Sequence, residues 1–497
     1  MITSSLKKAL ASGLEGSLRD MNPWWQGAWG SHLPPTRRWA FQSLRAWLKT
    51  GLTKVTVLRG PRQVGKTTVL EQIILALLQE GIAPHRIFRV QFDSLPPLKK
   101  IPLPILELSR WYSEAILGQS FHQAAESGQP CYLFFDELQN LVEWSSQLKQ
   151  LVDLHPIRVM ATGSSALRIA EGRDSLAGRI YTFEMGPLLL REIAQFQNWG
   201  SIPPFMPPNG LSPLKQKEFW QELRAFGEQH RELRRKTFAT FSARGAYPLA
   251  HLEAEQQWER TADLLNETVI QRVLQHDLRQ SKAAHKSNEH LLESIFRFTC
   301  RYAGQTPTPA FYTKQLTPEL GEHVTWRQAA RHLKLLDGAM LLRLIEPLEI
   351  RLRRRQNIFK LCLCDHALRA AWLQEVIPLS PEELQSLPHL TDLAGHLAES
   401  VAGYFLSAIP NLEVTYFPGR EREPEVDFVL TVGEQRIPVE VKYRRRIALQ
   451  DTHGLRVFME KAHFNAPFGL LVTLFDDAGT DNPRVVSMPL STLLLLR

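Results

Sequence analysis

Between Thr53 and about Arg191, short apolar runs alternate with stretches whose apolar residues recur every three or four positions. The runs at 55–58, 87–92, 131–135, 157–161 and 180–184 predict strands. After the first of them, Val69-Leu70, Ile73-Ile74 and Leu77-Leu78 predict a helix with a broad buried face, stopped by Gly81. Strands alternating with helices predict an α/β fold, a mainly parallel sheet covered on both faces. Pro-rich stretches at 95–104 and 202–213 predict connectors. Residues 214–300 read as polar helices, broken at Arg244-Gly-Ala-Tyr-Pro248. Residues 290–370 read as helices followed by a basic hairpin, and 391–497 as a last α/β unit. No segment repeats another.

Composition narrows the class. A chain of 497 residues is too long for one core, and at ~150 residues per domain it predicts about three. Hydrophobic residues at 44% and charged residues at 22% are the balance of a folded soluble chain, which excludes disordered and collagen-like classes. No apolar run approaches the ~18 residues of a membrane span, so no membrane partner is expected. Lys7 and Lys8 near the start precede Ser12, Gly13 and Glu15, which break any signal-like apolar core. Four cysteines are too few for a disulfide framework, so a reducing, cytoplasmic compartment is expected. The net charge of +8 permits a polyanionic partner. Five tryptophans (24, 25, 29, 39 and 47) lie in residues 1–50, which read as a helical segment packed on the next domain.

Gly60-Pro61-Arg62-Gln63-Val64-Gly65-Lys66-Thr67-Thr68 follows the first strand and opens the amphipathic helix. Glycines at this spacing let backbone N–H groups turn inward around phosphate, and the helix N-terminus adds positive potential. Lys66 is expected at the β- and γ-phosphates and the Thr67 hydroxyl on Mg²⁺, which makes ATP the expected cofactor. The strand 131–135 runs into Asp136 and Glu137. Asp136 is expected to hold the magnesium and Glu137 to polarise the attacking water. The strand 157–161 ends in Thr162 and Ser164, which either sense the γ-phosphate or, for Ser164 and Ser165, cap a helix.

These motifs run in order with Ser175-Leu-Ala-Gly-Arg179, Gly186-Pro-Leu-Leu-Leu-Arg-Glu192 and Gly245-Ala-Tyr-Pro248. The series resembles the prokaryotic AAA-type ATPases that carry a C-terminal domain of unknown function, over nearly the whole chain. The family's usual Gly-Gly-Tyr-Pro is here Gly-Ala-Tyr-Pro. The resemblance implies a core that binds ATP and hydrolyses it. Arg173 or Arg179, the latter preferred, is a candidate finger on the transferred phosphoryl, in cis or from a neighbouring copy in a homo-oligomer; the alternative is a solvated or ion-paired arginine.

Thr325-Trp-Arg-Gln328 reads as a capping box before a helix with Trp326, Ala330, Leu333 and Leu336 on one face, ended at Gly338. Extended runs at 348–352 and 358–364 follow, joined through Arg353-Arg354-Arg355-Gln-Asn357. Residues 331–360 hold eight Lys/Arg against three Asp/Glu. A helix and a basic-tipped hairpin make a winged-helix-like unit, which the resembled family also implies here. Such a unit either contacts DNA or serves protein packing. Cys362 and Cys364 lack a second ligand pair for zinc.

Residues 425–442 read as two strands around a turn at Gly433-Glu434. That register sets Asp427 against Glu440 and Glu425 against Lys442, all on one face, with Val426, Phe428, Val439 and Val441 on the other. Opposed carboxylates call for a cation, and a divalent metal is expected, with Lys442 placed to orient water. An Asp followed by Glu-x-Lys on the next strand resembles the signature of a restriction-endonuclease-like superfamily, matched here by Asp427, Glu440 and Lys442. Glu399, on a helix at 393–405, matches the acid often found on that fold's first helix. A metal-dependent nuclease site, metal or nucleic-acid binding without cleavage, and a structural charged hairpin all fit the residues.

The expected organisation is a helical segment (1–50), a P-loop ATPase core (51–195), a helical lid or linker (196–285), a winged-helix-like unit (286–375) and a nuclease-like α/β domain (390–497). The favoured partner is DNA. The alternative is a regulatory switch that binds a protein partner through a non-catalytic C-terminal module.

Overall fold

All five apolar runs of the first region form strands: β1 (Val55–Arg59), β2 (Ile87–Gln91), β3 (Cys131–Asp136), β4 (Ile157–Gly163) and β5 (Ile180–Glu184). They make one sheet in the order β2-β3-β4-β1-β5, with every neighbouring pair parallel. Every residue of β3 is buried, which is why that strand reads as an unbroken apolar run rather than an alternating one. The helix Lys66–Gln79 follows β1 and ends against Gly81, whose backbone is left-handed (φ 87°). The computed structural model describes residues 3–497 except 28, 95–97, 99–100, 165–175, 208–209, 253–256, 278–288, 322, 350–357 and 420–422. The chain divides into two units, Met1–Met185 and Gly186–Arg497. The segments expected as lid, winged-helix-like unit and C-terminal domain fall within the second.

In the second unit, helices Lys217–Gln229 and Arg231–Arg244 occupy the polar helical stretch. The motif after them has a local purpose. Ala246 N–H donates to the buried Asp365 carboxylate at 2.6 Å, and the buried Tyr247 hydroxyl lies 3.6 Å from Cys364 Sγ. Thr325 and Gln328 close the expected capping box before the helix Trp326–Gly338, which buries Ala330, Leu333 and Leu336. Among the described residues the hairpin is β6 (Leu342–Ile345) paired antiparallel with β7 (Lys360–Leu363); of the expected run 348–352, residues 350–352 lie outside the described residues. Pro347 has no N–H to continue that ladder. The chain there turns to Tyr416 instead: Leu348 N–H donates to Tyr416 O at 2.7 Å and Tyr416 N–H to Glu346 O at 3.0 Å. Arg353, Arg354 and Arg355 lie outside the described residues.

The last sheet runs β12-β11-β10-β9-β8, from β8 (Glu413–Phe417), β9 (Val426–Val432), β10 (Gln435–Lys442), β11 (Gly469–Thr473) and β12 (Val485–Pro489). The first two pairings, β8 with β9 and β9 with β10, are antiparallel, and the other two are parallel. Gln435 stands opposite Val432 and Val439 opposite Phe428, the register expected from a turn at Gly433-Glu434.

The first fifty residues do more than pack. Leu6, Leu14 and Leu18 join the core of the first unit. β2 is the edge of its sheet, and an edge strand exposes unpaired backbone groups. Asn22 covers them. Its Nδ2 donates to Arg89 O at 2.9 Å and its Oδ1 accepts from Arg89 N–H at 2.7 Å. The indoles of Trp24 and Trp25 both donate to Ile87 O, at 3.1 and 2.9 Å. Asn22 is fully buried, so Asn22→Ala strands two backbone groups away from water. The expected cost is about 2–4 kcal/mol of the first unit's stability, measured by urea unfolding of the full chain.

Candidate functional site

Residues 60–65 carry the chain from the carboxyl end of β1 into the helix Lys66–Gln79. Gly65, at φ 90°, makes the turn into the helix N-terminus, a backbone state that side chains disfavour. The Lys66 ammonium donates to two loop carbonyls, Gly60 O at 3.0 Å and Pro61 O at 2.8 Å, so a bound phosphate competes with carbonyl oxygens for it. Val64 is buried, and its carbonyl accepts from the buried Arg38 guanidinium.

Asp136 ends β3 and is fully buried. A carboxylate there must be matched by donors or cations. The Thr67 hydroxyl donates at 3.0 Å, the Thr162 hydroxyl also donates, and Arg89 Nη2 lies 3.2 Å away. The Thr67 hydroxyl and the Asp136 carboxylate are hard oxygen donors side by side, the donor set Mg²⁺ takes together with waters and phosphate. Glu137 adopts a left-handed backbone (φ 56°), and its N–H donates to Thr162 Oγ1 at 3.1 Å. Thr162 thus braces both acids. Gln139 Nε2 donates to Glu137 Oε2 and, at 2.8 Å, to Ser164 Oγ. Ser164 Oγ also lies 3.4 Å from Glu137 Oε2, and Ser165 lies outside the described residues.

Arg179 sits at the other end of the sheet. It directly precedes β5, its carbonyl accepts from Val55 N–H at 3.0 Å, and its Nε pairs with Asp153 at 2.5 Å. The phosphate loop leaves from the opposite end of β1, about 16 Å away along a five-residue strand. The expectation of a finger acting in cis is therefore corrected: the ion-paired alternative describes Arg179. Arg173 lies outside the described residues.

A second cluster lies in the second unit. Glu425, Asp427, Glu440 and Lys442, the four residues the register set on one face, line one cavity of about 390 Å³ together with Glu399. A residue from β7, Lys360, lies among them. Its ammonium is 2.8 Å from Asp427 Oδ1 and 3.0 Å from Glu399 Oε2, and the residue is 1% exposed. Asp427 Oδ2 accepts from Val441 N–H at 2.9 Å, and Lys442 pairs with Glu440 Oε1. Gly403 permits this convergence. A Cβ there would lie 2.5 Å from Cys362 Sγ and 2.7 Å from the Phe428 ring, so only glycine lets the helix Thr391–Ser407 come this close. Glu399 stands one turn earlier on the same helix face.

The charges divide unevenly. Burial opposes the Lys360 charge, but Asp427, Glu399 and Glu425 hold it well above the ordinary lysine range. Burial and the Asp427 charge push Glu399 up to about 8, and the same two causes push Glu440 up to about 8. Burial also raises Asp427, but Lys360 and Lys442 outweigh it and leave that carboxyl below its usual value. Asp427 is thus the ionised partner of Lys360, and the two glutamates favour their protonated forms.

Residues 52–194 match the family model of an AAA domain. Residues 394–492 match a domain of unknown function, DUF4143, and 235–376 another, DUF8612. The first match supports an AAA-type P-loop ATPase core. Among curated proteins, the chain is 33% identical over 147 residues to the uncharacterized protein MJ1637 of Methanocaldococcus jannaschii, covering 29% of this chain and 28% of that one. It is 22% identical over 306 residues to an uncharacterized protein of Haemophilus influenzae, covering 60% and 63%. It is 28% identical over 152 residues to MJ1544 of M. jannaschii, covering 29% of each. The matched segments therefore span less than two thirds of each relative's own length. No helix among the described residues is long and apolar enough to cross a membrane.

Around the AAA-type core, sequence reasoning missed three residues. Gln139, two residues after Glu137, carried no signal of its own. Arg89 was signalled by a charge inside an apolar strand run. Arg38 had no local signal at all. The expected second metal cage of Glu399, Asp427 and Glu440 is corrected: among the described residues no group of three or more His, Cys, Asp or Glu is placed to hold a metal ion. Lys360 takes two of the oxygens such a cage would need, Asp427 Oδ1 and Glu399 Oε2. Asp427→Leu leaves that lysine buried with its main partner gone, and a loss of about 3–5 kcal/mol is expected. Pairing it with Lys360→Met removes the orphaned charge and restores part of the loss, as read from urea unfolding curves of the three variants beside wild type.

Proposed function

We propose that the AAA-type core binds ATP with Mg²⁺ and hydrolyses it. The observation that carries this reading is the hydrogen bond at 3.0 Å between the Thr67 hydroxyl and the buried Asp136 carboxylate, with Glu137 held alongside by Gln139 and Ser164. In this reading Mg²⁺ neutralises the charge on the phosphates when it is bound. The backbone N–H groups of residues 60–65 and the Lys66 ammonium hold the phosphates. The Thr67 hydroxyl and Asp136 hold the metal side, and Thr162 keeps Asp136 and Glu137 in fixed relation. Glu137 accepts the proton of the attacking water, and Gln139 orients that carboxylate.

The second unit is proposed to act on DNA. The excess of Lys and Arg in residues 331–360 and the convergence of Glu399, Asp427, Glu440 and Lys442 on one cavity support that reading. A second reading, a non-catalytic module that binds a protein partner, is favoured by Lys360, which occupies the carboxylate cluster. Incubation with plasmid, single-stranded and branched DNA in Mg²⁺ or Mn²⁺, with and without ATP, separates the two. Salt-dependent DNA binding supports the first and its absence the second.

Lys66→Ala is expected to weaken ATP binding. Glu137→Gln is expected to keep nucleotide affinity while lowering turnover by roughly 10²–10⁴-fold, because the phosphate contacts and Asp136 remain. Gln139→Ala is expected to lower turnover by roughly 10–100-fold, with affinity for a non-hydrolysable analogue little changed. Phosphate release and nucleotide titration read these outcomes, and undiminished hydrolysis by Glu137→Gln would remove the assignment.

A further inference from the structure

The carboxylate cluster of the second unit has the makings of a cation site and already contains a cation. Lys360 has three ammonium protons. Two point to Asp427 Oδ1 at 2.8 Å and Glu399 Oε2 at 3.0 Å. The third side of the ammonium faces Asp427 O at 3.5 Å and the Phe428 ring, whose centroid is 4.8 Å away. An ammonium and a divalent metal compete for the same oxygens, and their like charges exclude each other at this separation.

The lysine is not on a loose arm. Lys360 pairs with Ile345 across the β6–β7 ladder. On the other side of β7, Leu361 N–H donates to Gln305 O at 3.0 Å and Leu361 O accepts from Gly304 N–H at 2.6 Å. Strand pairing on both flanks therefore holds the ammonium in place without the entropy cost that a free ion pays to bind.

One acceptor of the cluster is left over. Glu440 is 7% exposed, and its Oε2 is buried with no hydrogen-bond partner, although the residue lines the same cavity as Lys360, Glu399 and Asp427. Burial and the Asp427 charge favour the protonated form of Glu440, so this oxygen adds little negative charge for a cation to compensate. Lys442 satisfies only the other oxygen, Oε1.

We propose that Lys360 is a built-in substitute for a divalent cation: it fills the position between Asp427 and Glu399, and its removal opens that position to a metal held by those two carboxylates. The inference rests on reading this unit as nuclease-like, and it makes Lys360 the residue that decides between a metal-bearing and a metal-free site. With Lys360 present, the cluster is charge-compensated from within the chain and takes no divalent ion. Without it, Asp427 and Glu399 offer hard oxygen donors from a strand and a helix, the ligand chemistry of Mg²⁺ or Mn²⁺ with waters completing the shell.

The test is Mn²⁺ binding to the full chain without nucleotide, followed by electron paramagnetic resonance and by thermal unfolding in Mn²⁺ against chelator. Wild type is compared with Lys360→Met, Asp427→Asn and the double variant. Any Mn²⁺ held at the phosphate loop is common to all four and cancels. The expected result is one additional Mn²⁺ per chain in Lys360→Met that disappears in the double variant. Lys360→Met should also gain unfolding temperature in Mn²⁺, where wild type and Asp427→Asn do not differ. Lys360→Gln, which keeps a polar side chain in the space, serves as the second variant and should show the same gain. Asp427-dependent Mn²⁺ binding by wild type would overturn the proposal, as would folded Lys360→Met or Lys360→Gln protein that takes up no additional Mn²⁺. Mn²⁺ uptake by Lys360→Met with no cleavage of any DNA sustains the proposal while removing the nuclease reading. Asp427-dependent Mn²⁺ binding together with DNA cleavage by wild type does the reverse.

Discussion

A carboxylate taken out of water has to find its donors and counter-charges inside the fold, and two such carboxylates organise this chain. Asp136 is fully buried at the end of β3, and Asp427 is nearly so in β9. Around Asp136 the fold assembles a hydroxyl from the loop helix, a hydroxyl from β4 and a guanidinium from β2. Around Asp427 it assembles a backbone N–H from β10 and an ammonium from β7. Each set draws on elements far apart in the chain, so forming the site and closing the fold are one event.

The parallel sheet makes the first assembly workable. With β3 between β2 and β4, Asp136 has Arg89 on one side and Thr162 on the other, while β1 beyond β4 delivers the phosphate loop. All four strands point the same way, so these residues meet at one end, where ligands of such sheets bind. The same geometry keeps Arg179, which precedes β5 at the other end, away from the loop of its own chain. The sheet also needs its β2 edge closed, and the N-terminal segment does that through Asn22, Trp24 and Trp25. A stretch with no chemistry of its own thus protects the strand that carries Arg89 beside the acid.

At the second carboxylate the counter-charge comes from a separate hairpin. The helix Thr391–Ser407 brings Glu399, β9 and β10 bring Asp427 and Glu440, and β7 brings Lys360. Gly403 sets the distance by letting the helix lie against Cys362 and Phe428. The consequence is electrostatic. The lysine keeps Asp427 ionised, while burial and that same Asp427 charge favour the protonated forms of Glu399 and Glu440.

Much of this was legible in the chain because it is local. Apolar runs of strand length, the spacing from Gly60 to Thr67, and the turn at Gly433-Glu434 each depend on neighbours a few residues away. Backbone periodicity then carries side chains to one face or the other, so the register that put Asp427 and Glu440 together followed from counting. The pairing of Pro347 and Leu348 with Tyr416, some seventy residues on, had no local signal. Arg89, Arg38 and above all Lys360 share this character: each acts on a partner that local periodicity does not identify. The sequence by itself determined which segments are strands, where phosphate is received and which acids share a face. Only the tertiary structure decided what neutralises those acids, because a buried charge is compensated by whatever the fold brings within about 3 Å, and sequence distance says nothing about that.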